Sequence, residues 1–477
     1  MSIISLGRVT TLLLMSRAAG FVLTLGNSVI LARVLGAERL GEYAYAMGLA
    51  ALFGLFPNMG ISTVVTRAIA RDPVEGSGVF GAALRAQVLL AGLVFSVIPA
   101  FAAFLPEQPV PLMYVWLAAA QLALGALSWP YLAVLGGRAR YDSLAKAELA
   151  TGVVGTTALL VAAALDGSVR AFLVAHVIAA GIAVLIARQA AAPFLPAGGM
   201  QTMTLRTLFR QGAPFGAGAA VQSLYTRLDI LLLGQMATTV ALGLYSAAYK
   251  PINMAVYFGV TAAGTLFPLM VQTPKGSAPD AFGRVMRGLG VAAPAMALIF
   301  SGLATPLLQT LYGDEFAPSA PILIMLAWSA AANWLYAPLG VVLQARGWEH
   351  WWLAGLGGGL VVNFLVNLWS IPRWGAVGAA AATLISEAGL LGFSTVLILR
   401  ELSHLPSFRP VLGGLAASVA GGGSLWWLLR EIGPIPATLG ALIVYCGLLV
   451  LLRIVTFQNV ATAMGWFRQA ALEWPRS

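Results

Sequence analysis

The chain has 477 residues, of which 60% are apolar and only 9% charged, and it carries a formal net charge of +10. A soluble domain carries about 25% charged residues, so the composition excludes an ordinary soluble enzyme and leaves a polytopic all-α membrane protein. The basic balance alone would suit nucleic acid, but the placement of the cations assigns it to membrane topology, and no nucleic-acid partner is expected.

About 20 residues cross the hydrocarbon core. By that ruler fourteen helices are expected, near 10–32, 41–66, 79–104, 110–135, 143–165, 168–189, 207–235, 240–271, 284–312, 318–344, 351–370, 375–399, 409–430 and 434–454. The first, Thr10–Ala32, is too long for the apolar region of a signal peptide and is interrupted by Arg17, so it reads as a membrane helix. Proline and glycine punctuate several segments, as at Pro57–Gly60, Pro214, Pro251, Pro268 and Pro306. The stretch between Arg188 and Arg206 is a loop and not a soluble domain. Cys446 lies in an apolar helix and has no internal partner for a disulfide. After Arg453, Phe457, Val460, Met464, Phe467 and Ala471 recur at helical spacing, which fits an amphipathic surface helix or a frayed tail.

With the N-terminus in the cytoplasm, most of the 27 Lys and Arg fall to cytoplasmic loops and tails. Only Arg33, Arg39, Arg170, Arg373 and Arg430 fall to outer loops, the asymmetry expected when both termini are cytoplasmic. Trp348, Trp351 and Trp352, Trp369 and Trp374, and Trp426 and Trp427 flank helix ends as interfacial belts.

Two short patterns recur. Leu40-Gly41-Glu42-Tyr43 returns as Leu242-Gly243-Leu244-Tyr245, each at the outer start of a helix. Pro130, Val134, Leu135 and Arg138 return as Pro338, Val342, Leu343 and Arg346, at cytoplasmic helix ends. An even number of helices separates the copies, which implies parallel repeats about an axis along the membrane normal. The expected organisation is an N-lobe of helices 1–6 (1–189), an inter-lobe loop (190–206), a C-lobe of helices 7–12 (207–399), two added helices (400–454) and a cytoplasmic tail (455–477), with a central cavity of the alternating-access kind.

Five ionisable residues fall inside the apolar segments: Arg17, Arg227, Asp229, Lys250 and Glu387. Each costs roughly 2.5–3.5 kcal/mol at the centre of a membrane helix. Such residues persist where they line a water-filled path, pair, or hold a charged substrate. Three of the five are cations, which points to an anionic substrate. Arg17 either lines the cavity or snorkels to the cytoplasmic face. Arg227 and Asp229 point about 200° apart on a helix and do not satisfy one another. Lys250 precedes Pro251, which frees a backbone carbonyl one turn earlier; the alternative is a pair with Asp229 or Glu387. Glu387, near the centre of helix 12, suits a proton or Na⁺, or a structural hydrogen bond. Asn58, Asn363 and Asn367 read first as interhelical glue. No Walker A pattern exists, because Lys275-Gly276-Ser277 has the order reversed; His176, His350 and His404 are far apart, and no HExxH or CxxC occurs. No enzyme activity, catalytic residue, metal or cofactor is expected.

The stretch Ala32–Tyr43 (Ala-Arg-Val-Leu-Gly-Ala-Glu-Arg-Leu-Gly-Glu-Tyr), then Thr66-Arg67-Ala68-Ile69-Ala70-Arg71-Asp72, Arg227–Gly234, Gly243–Lys250, Leu311–Phe316 and Gly375–Thr383 together resemble the polysaccharide-transporter family. These are bacterial flippases for lipid-linked oligosaccharide repeat units of the O-antigen and exopolysaccharide type, in one superfamily with drug/cation antiporters and lipid II flippases. The resemblance covers helices 1 to 12 and specifies fold better than substrate; the patterns of a lipid II flippase are not evident. It implies a fourteen-helix, two-lobed flippase that moves an undecaprenyl-diphosphate oligosaccharide from the cytoplasmic to the outer leaflet of the inner membrane for surface polysaccharide synthesis. Arg17, Arg227 and Lys250 would neutralise the diphosphate, and Asp229 and Glu387 would serve as ion-coupling sites or counter-ions, the coupling ion being H⁺ or Na⁺. Membrane lipids, and a polysaccharide polymerase with its chain-length machinery, are the implied partners, and the implied state is a monomer. The rivals are an ion-coupled drug or metabolite antiporter of the same fold and a membrane glycan polymerase. The first would want a cavity richer in carboxylates, the second a large outer loop or a catalytic carboxylate cluster.

Overall fold

The computed structural model describes residues 3–72, 76–195, 203–264, 278–401 and 409–455, and among them there is helix but no strand. The side chain of Arg17, residues 196–202 of the expected inter-lobe loop and the tail beyond residue 455 lie outside the described residues. In chain order the helices are α1 (Ile3–Leu52), α2 (Ile61–Arg71), α3 (Gly76–Ala103), α4 (Leu112–Ala126), α5 (Trp129–Gly137), α6 (Tyr141–Leu165) and α7 (Val169–Ala191). They continue as α8 (Leu205–Met236), α9 (Thr239–Gly264), α10 (Ala278–Tyr312), α11 (Ala320–Ala345), α12 (Glu349–Glu401), α13 (Arg409–Glu431) and α14 (Pro434–Leu451). A 3₁₀ turn, Asp314–Ser319, joins α10 to α11.

Among the described residues, ten helical stretches are long and apolar enough to span a membrane. The protein is therefore a multi-span membrane protein. By the same measure α8 and α9 fall short; these are the helices that carry Arg227, Asp229 and Lys250. Two helices are too long for a single crossing. A straight helix of 50 residues is roughly 75 Å long at about 1.5 Å per residue, more than twice the hydrocarbon thickness of about 30 Å. Both bend where a glycine leaves helical geometry: α1 at Gly36 (φ 71°, ψ 178°) and α12 at Gly375 (φ 54°, ψ −129°). A side chain is disfavoured at such positive φ, so the turn is written into the residue.

The segment 41–66, expected as one helix, is interrupted. α1 ends at Leu52, residues 53–60 run as successive tight turns, and α2 resumes at Ile61. Pro57 has no N–H to continue the ladder, and Met59 and Gly60 both take left-handed backbone, at φ 40° and 75°. The expected segment 110–135 is likewise divided, into α4 and α5 at Leu127–Ser128.

The chain forms two compact units. The first comprises the described residues up to Pro251, with Gln309–Ile322 and Leu356–Ala382; the second comprises Ile252–Leu308, Leu323–Gly355 and the described residues from Thr383. In the first unit α6 packs on α1 and α7, α4 on α3 and α7, α5 on α2, and α8 on α1. The apolar stripe of α2 (Ile61, Val64, Val65, Ile69) closes on Val79, Ala82, Ala83 and Ala86 of α3 and on Val134 of α5. Alanine and glycine recur at these contacts because lipid is as apolar as the helices, so close backbone approach and dispersion drive association.

The two repeated glycines meet in this unit. A Cβ on Gly41 would collide with the carbonyl oxygen of Thr239, and a Cβ on Gly243 with that of Ala37. Each glycine thus opposes the residue four before the other, the reciprocity of a local two-fold crossing. In the second unit α13 packs on α14. There Tyr445 donates to the carbonyl of Val291 at 2.7 Å, and Trp334 Nε1 donates to that of Ala255 at 2.9 Å.

Candidate functional site

The interruption between α1 and α2 is built to persist. The Pro57 carbonyl accepts from Nε2 of the fully buried Gln87 at 2.7 Å. Asn58 Oδ1 accepts from the backbone N–H and the hydroxyl of Ser62, at 3.1 and 3.0 Å, capping the start of α2. α8 approaches through Gly212 and Gly216, where a Cβ on Gly212 would strike the Met59 carbonyl oxygen. This is a small-xxx-small contact made against irregular backbone rather than another helix.

Beside the break lies a partly open cavity of about 390 Å³. Its polar lining comes from Asn58, Thr63, Ser223, Thr226 and Arg227, with Trp129 from the α4–α5 joint. None of the described lining residues is acidic. Arg227 is exposed, and among the described residues it forms no ion pair with a carboxylate. Non-helical backbone is tolerated in membrane proteins where protein covers it or where it lines a water-filled cavity; here Gln87 and α8 cover the break and a partly open cavity lies beside it.

Asp229, two residues on, is in the opposite environment. It is buried, at 5% exposure. Its Oδ2 accepts from the Tyr245 hydroxyl at 2.7 Å and its Oδ1 from Asn367 Nδ2 at 2.8 Å. Asn367 Nδ2 also donates to Asn363 Oδ1 at 2.9 Å. The Asn367 carbonyl oxygen is buried without a hydrogen bond among the described residues. One carboxylate and two carboxamides therefore converge in one buried hydrogen-bonded group. Among the described residues no group of three His, Cys, Asp or Glu gathers for a metal.

Lys250 keeps an exposed side chain although protein surrounds it on most sides, as for a residue lining a cleft. Arg227 and His176 lie within electrostatic reach of its ammonium group. His176 Nε2 pairs with the Tyr43 hydroxyl at 2.7 Å. The alternative pairing of Lys250 with Asp229 is not found; Tyr245 and Asn367 occupy the carboxylate instead. Glu387 belongs to the second unit, where it is buried at 8% exposure. Arg17 lies on α1 with its side chain outside the described residues. The structure thus gathers Arg227, Lys250 and Asp229 in one unit.

Two motifs far apart in the chain dock at the Gly36 bend. Arg33 donates to the carbonyls of Leu311 and Thr310 at 2.9 and 2.6 Å, capping the end of α10. Glu315 Oε1 accepts from the Ala37 N–H at 2.8 Å, capping the helix that restarts after Gly36.

Trp129 and Thr63 had no signal in the sequence beyond residue type, and Tyr245 stood out only as the last residue of the repeated Leu-Gly-x-Tyr, not as a partner of Asp229. The available hints were Pro57–Gly60 as a breaker and Gly212–Gly216 as a close-packing pair.

The fold defines a multi-span membrane protein with interrupted helices among the described residues. The chain belongs to the polysaccharide biosynthesis protein family, whose model matches residues 30–321. That span includes Arg227, Asp229, Lys250 and the cavity. A curated relative, the probable low-salt glycan biosynthesis flippase Agl15 of Haloferax volcanii, is 26% identical over 191 residues; the match covers 39% of this chain and only 39% of that relative. Among solved structures, a lipid II flippase MurJ in an inward closed conformation superposes with a TM-score of 0.71 at 12% identity, covering 94% of this chain and 100% of that one. An inward-facing multidrug-resistance MATE transporter of the MOP superfamily gives 0.57 at 15% identity, covering 81% and 96%. The MATE multidrug transporter DinF-BH gives 0.58 at 14%, covering 82% and 95%. These likenesses establish the shared fold.

Proposed function

We propose that the protein is a flippase for a lipid-linked oligosaccharide, acting by alternating access between the expected lobes 1–189 and 207–399. The carrying observation is the cavity at the broken helix, lined by Arg227 and by no described carboxylate. A guanidinium fork matches phosphate oxygens, and the N-terminal end of α2, at the same cavity, adds a favourable dipole for an anion. Lys250 supplies a second cation, and Arg17 is proposed as a third. The substrate is an undecaprenyl-diphosphate oligosaccharide, taken from the cytoplasmic leaflet of a bacterial inner membrane and released outward, with both termini cytoplasmic. The tail after residue 455 is proposed to lie on that surface. Membership of the polysaccharide biosynthesis family, the glycan flippase among the relatives and the MurJ-like fold support this reading.

Asp229 with Asn363 and Asn367 would hold the coupling H⁺ or Na⁺, and Glu387 would act as a further coupling or counter-ion site. A polymerase and chain-length machinery are the proposed downstream partners, and the working unit is a monomer. A cavity with no acidic residue in its described lining weighs against an exporter of organic cations.

The test is complementation of a bacterial strain lacking its repeat-unit flippase, at matched membrane levels. Wild type should restore surface polysaccharide, and Arg227→Ala and Lys250→Ala should lose most of it. Rescue that survives both changes would remove the site from the proposal.

A further inference from the structure

We infer that the recess at the broken helices is a sugar-phosphate subsite, in which Trp129 is the platform for the ring nearest the phosphate and Asn58 and Thr63 read its hydroxyls. The inference rests on the flippase reading and deepens it, because it assigns sugar specificity to residues distinct from the phosphate-binding cation.

The hydrogen-bond inventory of the recess selects the ligand. Asn58 spends its oxygen on Ser62, which leaves its NH₂ group as a donor. The Thr63 hydroxyl and the Trp129 indole N–H make no hydrogen bond among the described residues. Arg227 adds a guanidinium, an acceptor-free group. The wall is therefore rich in donors, contains no described carboxylate, and carries one aromatic face. A prenyl chain has no use for donors, and an aromatic cation would want an acid. A bare phosphate has no use for an indole. A pyranose ring joined to phosphate uses every feature: hydroxyl and phosphate oxygens accept, and one C–H face lies on the indole.

Size and position agree. About 390 Å³ falls in the lower part of the range for small-molecule clefts, roughly 300–1,000 Å³, which suits a ring with its phosphate and not a whole oligosaccharide. Trp129 also differs from the interfacial tryptophans. Trp351, Trp369, Trp374, Trp426 and Trp427 are 45–61% exposed, whereas Trp129 is half-buried and lines the recess. Its place is fixed by Pro130 at the start of α5 and by the buried Ser128, whose hydroxyl donates to the Gly125 carbonyl at 2.7 Å.

The experiment measures binding to the full-length protein in lipid nanodiscs. The probes are a short-chain prenyl diphosphate, bare or carrying one hexose, N-acetylhexosamine or deoxyhexose. In the wild type at least one sugar should raise affinity about tenfold over the bare probe. Trp129→Ala should bring that ratio near unity, Trp129→Phe should keep part of it, and Thr63→Val should lower it several-fold. Arg227→Ala should weaken every probe while preserving the ratio. Thermal unfolding of each variant separates lost binding from lost fold, and Trp129→Phe retains an aromatic where alanine does not fold. A sugar-dependent ratio that survives Trp129→Ala and Thr63→Val overturns the subsite alone, as does a wild type that binds all probes equally. A wild type that binds no probe overturns the flippase reading as well.

Discussion

Arg227 and Asp229 are neighbours but one on α8, and their surroundings have nothing in common. Arg227 faces a partly open cavity and is paired with no carboxylate among the described residues. Asp229 is sealed between helices, its two oxygens held by Tyr245 and Asn367. A cation left solvated can gain and release an anion with little reorganisation. An anion with fixed donors has already exchanged water for protein, and removing it strands its partners. One helix thus presents a group suited to exchange on one side and a group suited to architecture or tight ion binding on the other.

Asp229→Ala should give the largest effect. It leaves the Tyr245 hydroxyl and an Asn367 N–H without their acceptor, a loss of about 2–4 kcal/mol, read as a clear drop in the midpoint of thermal unfolding in detergent or nanodiscs. Asp229→Asn should recover much of that stability while abolishing any dependence of transport on Na⁺ or pH. A stable but fully coupled Asp229→Asn protein would make the carboxylate purely structural. Next come Gly41→Ala and Gly243→Ala, each costing about 1–3 kcal/mol by overpacking. Because both glycines meet at one crossing, the double variant should cost less than the sum; additive losses would place the two in separate contacts. Glu315→Gln keeps an acceptor and should be mild, whereas Glu315→Ala should cost about 1 kcal/mol as a lost helix cap. Arg227→Ala should move stability least, by under about 0.5 kcal/mol, yet should remove most polysaccharide export in the complementation assay. A large stability loss there would turn the comparison of the two residues around.

Much of the architecture was legible because the bilayer imposes a length and an apolarity that local sequence must state. The long apolar segments fall on helix in the described residues, and the repeated Leu-Gly-x-Tyr does mark helices that meet. The cost of ionisable groups in lipid also draws attention to Arg227, Asp229 and Lys250, which the structure places in one unit. What local sequence did not reveal was the identity of distant partners. Asp229 finds Asn367 on α12, and Asn58 had read as interhelical glue although it caps its own broken helix. The break itself was announced by Pro57 and Gly60, but hydropathy averaged over a helix length conceals an eight-residue turn. Trp129 carries no local pattern that marks it, and only the cavity's lining singles it out. Glu387 was flagged by the same cost argument, and the structure adds its burial.

The bend at Gly36 has a temporal side. Its two caps come from opposite ends of a long stretch of chain: Arg33 closes on Thr310 and Leu311, and Ala37 is closed by Glu315. During synthesis the first corner of the protein is made early but is completed only when residue 315 has left the ribosome, an interval on the order of tens of seconds at ordinary elongation rates. Until then the corner exposes an N–H and an arginine with no acceptor, a state that a nascent membrane protein must pass through in water or in the hands of its insertion machinery. Substitutions at Arg33 or Glu315 should therefore reduce yield during biogenesis by more than they reduce the stability of the finished molecule.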